Sequence, residues 1–110
     1  MKIKKSNRLF TAGITKLKII DKGSIYLKDD NQVTFRYKKS EYDVCRKNWG
    51  YYATPSINGR LQNFGFKTFL TQNKFKKIYI NLVHSNKMKT FKKYLKKEKS
   101  KILIELTNFK

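Results

Sequence analysis

The stretch from Asp43 to Phe66 concentrates the side chains best suited to holding an anion. It contains the only Trp, the only Pro, two of the four Arg and three of the five Gly, with Asn48, Thr54, Ser56, Asn58, Gln62 and Asn63 between them. Arg46, Trp49, Tyr51 and Tyr52 precede Thr54-Pro55-Ser56, a hydroxyl residue followed by a proline that reads as the start of a helix. Helix N-termini present unpaired N–H groups and the positive end of a dipole, which suit phosphate or carboxylate. Ser56 adds a hydroxyl there. Arg60, about one turn further on, can grip a phosphate at two points, a geometry that lysine cannot match. Tyr51 and Tyr52 can stack on bases at roughly 1–3 kcal/mol each. The bland alternative is that Trp49, Tyr52, Ile57, Leu61 and Phe64 are core, and that Arg46 and Arg60 are ordinary surface charges. The glycines at 50, 59 and 65 match neither a dinucleotide-binding nor a Walker spacing.

A second candidate surface lies near the C-terminus. Lys89, Lys92, Lys93, Lys96 and Lys97 fall on the outer face of an expected helix whose apolar stripe is Met88, Phe91, Tyr94 and Leu95. Its like-charged i,i+4 pairs are each unfavourable by about 0.2–0.5 kcal/mol. A solvated face is the common reason for such a run; contact with a phosphate backbone is the functional one.

Covalent chemistry is poorly provided for. Cys45 and His84 are the only residues of their kinds, and nothing in the sequence brings them together with Asp43 as orienter. One His, one Cys and scattered acids make no zinc pattern. Asp29 and Asp30 read as turn residues rather than as paired carboxylates. No catalytic residue, metal site or cofactor is therefore assigned, and enzyme activity is not the expectation.

The charge balance is the strongest global signal. The 110 residues carry 27 Lys and Arg against 7 Asp and Glu, a formal charge of +20. Codon bias explains part of it, since Lys, Ile, Asn, Phe and Tyr together make up more than half of the chain, as in a genome of low G+C content. Bias does not explain the missing acids, because Asp and Glu codons suit such genomes too. Between Val44 and Lys97 there is no acid at all. So one-sided a field costs self-repulsion, which an anionic partner would offset.

These residues must be carried by one small domain, given the length. Residues 1–12 read as a basic arm or short edge strand, leaving 13–110 as the domain. Strands are expected at 15–20 and 24–28 around an Asp21-Lys22-Gly23 turn, then at 33–37 after the Asp29-Asp30-Asn31 turn. A helix follows from Pro55 to Phe64, closed by a left-handed Gly65. Strands at 66–71 and 77–83, with Ile78, Ile80 and Leu82 on one face, precede a helix from Ser85 or Asn86 to about Lys99 and a last strand at 102–106. The order βββ-α-ββ-α-β predicts an α+β domain, two helices on a mostly antiparallel sheet of five to six strands, with room for one parallel pair at the end.

No apolar run approaches a membrane span, and no secretory leader is evident. The expectation is a soluble cytoplasmic protein that binds nucleic acid or another polyanion, with RNA or single strands favoured over duplex by the tyrosines. A domain for a small anionic ligand such as a nucleotide-sugar or sugar phosphate, with a catalytic role open to it, is the first alternative. Its pocket would be Trp49, Tyr51, Tyr52, Asn58 and Arg60. A subunit that docks on an acidic protein is the second.

Overall fold

The N-terminal basic segment is a long strand rather than an arm. In the computed structural model, which describes residues 1–109, β1 (Lys2–Ala12) pairs antiparallel with β2 (Leu17–Tyr26). The reversal lies at Gly13–Lys16, so the expected turn at Asp21-Lys22-Gly23 is corrected. Those residues sit inside β2, opposite an irregularity between Lys5 and Arg8 where the register slips. There the Asp21 carboxylate accepts from the Gly23 N–H (3.0 Å), a local bond that satisfies turn-forming residues without ending the strand.

A turn at Asp29-Asp30 leads to a three-stranded meander of β3 (Gln32–Tyr37), β4 (Ser40–Lys47) and β5 (Gly50–Thr54). The third sheet is β6 (Phe66–Asn73) flanked by β7 (Ile78–His84) and β8 (Ser100–Glu105). Eight antiparallel strands in three sheets thus replace the expected single sheet of five to six. The protein is a β-rich α+β fold. Among the described residues no parallel pair forms, because β6 lies between β7 and β8 and takes the hydrogen bonds of both.

The expected helix from Pro55 shrinks to α1, the four residues Arg60–Asn63. Thr54 stays in β5 opposite Asp43, Pro55 is buried, and the Ser56 carbonyl accepts the N–H groups of Gly59 (3.2 Å) and Leu61 (3.0 Å). That turn uses the donors an earlier helix would have needed. Gly65 does take the left-handed conformation expected of it, at φ +89.

A single 3₁₀ turn, Ser85–Lys87, precedes α2 (Met88–Lys97). Phe91 and Leu95 of α2 pack on Phe69 and Val83 of the third sheet, with Met88 against them. The Phe69 and Phe91 rings stack at 5.5 Å between centroids. This is the buried cluster among the described residues; Ile78 and Ile80 share a face of β7 as expected, and that face remains open because α2 covers the side carrying Val83. The hairpin β1–β2 meets this part at its tip, where the Thr15 N–H donates to the buried Glu98 carboxylate at 2.8 Å.

Candidate functional site

The structure divides the sequence-proposed site in two. Arg46, Trp49, Tyr51 and Tyr52 do not form a loop entering a helix; they form the far end of the β4–β5 hairpin. The eight residues of β4, roughly 25 Å at ~3.3 Å each, separate the Trp49 turn from the Lys38-Lys39 turn at the other end. Trp49 is exposed at its tip and not core. Arg46 donates from Nη1 to the Gly50 carbonyl (3.0 Å) and its guanidinium lies 5.4 Å from the Tyr51 ring centroid. Arg46 therefore braces the hairpin with much of its hydrogen-bonding capacity still free.

Strand alternation sends Tyr51 and Tyr52 to opposite faces of the meander, so they cannot stack on one ligand together. Tyr51 shares its face with Arg46, Phe35 and Tyr37, whereas Tyr52 stands opposite Cys45 on the other. Phe35, Tyr37 and Tyr51 are all exposed, which makes the first face an open row of rings. Tyr42, half-buried between them, has its hydroxyl pKa pushed up by burial. Ser56 and Asn58 are exposed in the turn before α1. A four-residue helix with no side-chain cap offers no dipole worth invoking, so the expected anion site at its N-terminus is withdrawn.

What the fold assembles instead is a cleft of about 510 Å³ where the β3–β4 turn, the end of α1 and the start of the α2 region converge. Lys38, Lys39 and Lys87 supply ammonium groups; Tyr37, Phe64 and His84 supply rings; Ser40, Asn63 and Asn86 supply hydrogen-bonding groups. Among the described residues no carboxylate lines it. The His84 ring sits 4.4 Å from that of Phe66 and 5.6 Å from that of Tyr37, so two sheets meet at this imidazole. The buried Ser40 hydroxyl donates to the Tyr37 carbonyl (2.7 Å), which sets the two-residue turn carrying the lysines. Lys38 adopts a left-handed φ of 54 in that turn. The Arg60 guanidinium stacks 5.6 Å from the ring centroid of Phe64, at the edge of the cleft.

The cleft adjoins the start of the helix expected from the sequence to carry a lysine surface. Lys87 lines it, and α2 starts at the next residue with Lys89, Lys92, Lys93, Lys96 and Lys97 all exposed. Most acids, in contrast, are occupied within the molecule. Asp21 pairs with Arg8, Asp30 with Lys47, Glu41 with Arg36 and Glu105 with Lys67. Asp43 is buried and accepts from the Thr34 hydroxyl (2.5 Å), and Glu98 holds the hairpin tip. The hydrogen bond from Lys47 to Asp30 raises the Lys47 pKa above the usual lysine value.

Sequence reasoning missed Lys38, Lys39, Lys87 and the part His84 plays. One signal was present: alternating Val33, Phe35 and Tyr37 end at Lys38-Lys39, the pattern of a two-residue hairpin turn. No local pattern places that turn beside His84. The structure offers no Cys–His pair either, because His84 packs on Tyr37, on the meander face opposite Cys45. Among the described residues, no three His, Cys, Asp or Glu come together as a metal site, and no helix is long and apolar enough to cross a membrane. Comparison with protein-family models, curated proteins and solved structures finds no match for this chain.

Proposed function

We propose that the protein binds a phosphate-bearing polyanion, single-stranded nucleic acid above all, through the cleft and the lysine face of α2. One observation carries the reading: a cleft lined by three lysines and, among the described residues, no carboxylate ends at Lys87, the residue before α2, whose own lysines are exposed. Lysine ammonium groups neutralise successive phosphates without fixing sequence. Tyr37, His84 and Phe64 offer ring faces to an unpaired base, and Asn63, Asn86 and Ser40 offer donors and acceptors to its edges. Duplex DNA is disfavoured because α2 uses Phe91 and Leu95 on the sheet and presents lysines, Thr90 and Tyr94 outward, with little capacity to read base edges.

The test is fluorescence-polarisation binding of nuclease-treated protein to single-stranded RNA, single-stranded DNA and duplex DNA across a salt series. Replacing Lys38, Lys39 and Lys87 together by Ala is expected to lower the slope of log affinity against log salt by about 2, from ~0.7 per lost phosphate contact on single strands. Tyr37→Ala should weaken binding to single strands by about tenfold, and Tyr51→Ala far less. A slope unchanged in the triple variant would sink the proposal.

The same cleft favours a second reading, because its volume falls within the range of small-ligand pockets. A nucleotide or sugar phosphate bound there would saturate at one per chain, and the α2 lysines would then be dispensable.

A further inference from the structure

The fold leaves both faces of the β1–β2 hairpin uncovered, and one of them is apolar with little net charge. Cross-strand partners share a face, so Ile3 and Ile25, Phe10 and Ile19, and Ala12 and Leu17 lie together on one side. The large members of this set are all exposed: Ile3 by 55%, Phe10 by 39%, Leu17 by 39%, Ile19 by 41% and Ile25 by 43%. The opposite side carries Lys2, Lys4, Lys18 and Lys22 beside Leu9, Ile20 and Tyr26, which are exposed as well, so the two faces differ in charge rather than in cover. An isolated two-stranded hairpin is marginal in water and needs a layer on its apolar face. Within this chain the hairpin is held at its tip, through Thr15 and Glu98.

The whole molecule bears the mark of a missing layer. It exposes 8904 Å², where a compact monomer of this mass exposes roughly 6,400 Å². Its radius of gyration is 15.5 Å, against about 13 Å expected for the length. An excess on the order of 2,500 Å² is what chains leave open when they fold as part of an obligate assembly.

We infer that the apolar face of the hairpin is the interface of a homodimer. Charge selects the partner. In a chain of net charge +20 two copies repel almost everywhere, yet on this face Arg8 is neutralised by Asp21 at 3.0 Å, and Lys5 is the one charge outside an ion pair among the described residues. Two copies can meet there without opposing strong like charges. A polyanion would choose the lysine side instead. The face is about 33 Å long at ~3.3 Å per residue, and two of them packed together remove on the order of 1,000 Å² from water, the threshold for a specific interface and about a fifth of the excess of two chains. The hairpin lies outside the Phe69–Phe91 cluster, so the interface can be broken without unfolding the rest.

Sedimentation velocity or light scattering of nuclease-treated protein at high salt, over a concentration series, decides the matter. Twice the chain mass is expected for the natural protein. Ile19→Lys should give the mass of one chain with an unchanged near-ultraviolet spectrum, whereas Ile20→Lys, one residue along and on the other face, should leave the dimer intact. A natural protein that stays monomeric at every concentration overturns the inference, as does dissociation by Ile20→Lys with none by Ile19→Lys. A monomer that floats with anionic phospholipid vesicles, losing this in Ile19→Lys, overturns it too and assigns the face to a membrane surface.

Discussion

The region from Phe66 to Glu105 and the region from Lys2 to Thr54 have similar raw material and opposite outcomes. Both contain antiparallel strands with alternating apolar residues. In the C-terminal region α2 lies across the sheet, and Phe69, Val83, Phe91 and Leu95 lose nearly all contact with water. In the N-terminal region no helix is encoded, and Phe10, Ile19, Phe35 and Tyr37 stay exposed. Strand pairing satisfies backbone hydrogen bonds, but burial needs a second layer. The half with its own layer can hold itself up, while the open half is available for contact. The lysine cleft lies where the two meet, at Tyr37 and His84.

The largest effect should come from emptying the packed side. Phe69→Ala, a side chain 4% exposed, is expected to cost about 3–5 kcal/mol. Phe35→Ala, 53% exposed, should cost under ~1 kcal/mol. Urea unfolding of the two variants gives the contrast directly, and equal losses would erase the distinction between the regions.

The junction comes next. Gly13 has φ +78, and a Cβ there would overlap the Glu98 Oε1. Gly13→Ala should therefore cost about 2 kcal/mol, from left-handed strain and displacement of the carboxylate that accepts the Thr15 N–H. Faster hydrogen exchange at the Thr15 amide, with the amides of α2 unaffected, would show that the hairpin is latched only at its tip.

A smaller change, of opposite sign, is expected inside the packed side. The Thr68 Oγ1 is buried with no hydrogen-bond partner among the described residues, although the Thr68 N–H donates to the Thr107 hydroxyl. Thr68→Val keeps the shape and removes the orphan group, so the thermal midpoint should rise, by about 1 kcal/mol in stability. A loss would mean that the hydroxyl has a partner in solution.

The least effect on stability is expected at an exposed pair of the open side. Lys47 gains a hydrogen bond from its ammonium to Asp30, so its pKa in the folded chain lies above the unfolded value. Any stabilisation from the pair is present in full below the ordinary lysine pKa and is lost as pH rises through the raised one. Nitrogen-detected titration of the Lys47 ammonium should show a raised midpoint, and Asp30→Asn should return it to the usual value, with no measurable change in unfolding at neutral pH.

Local chemistry made much of this molecule legible in one dimension. The strands at 33–37, 66–71 and 77–83 follow from alternation, α2 from the spacing of Met88, Phe91 and Leu95, and the left-handed Gly65 from its place after an apolar run. The basic field was legible as well, since charge is a property of composition and the acid-free run is contiguous. Local rules failed where they competed. Thr54-Pro55 has the residues of a helix start, yet pairing of Thr54 with Asp43 and burial of Pro55 prevailed. Arg46 to Ala53 had no strand signal strong enough to outweigh its Gly and Asn, and cross-strand pairing with β4 decided it.

Which lysines act together was beyond the reach of sequence. Lys38, Lys39 and Lys87 are far apart in the chain, and they converge because the meander packs through Tyr37 on His84 at the end of β7. The sequence by itself determined the sign and size of the field, the helix that displays it and the alternation of the strands, all of which depend on neighbours within a few residues. Only the tertiary structure decided that Tyr51 and Tyr52 part company, that the expected site divides along β4, and that a cleft forms at a junction of sheets. Those outcomes depend on which surfaces find a covering layer, a property of the whole chain.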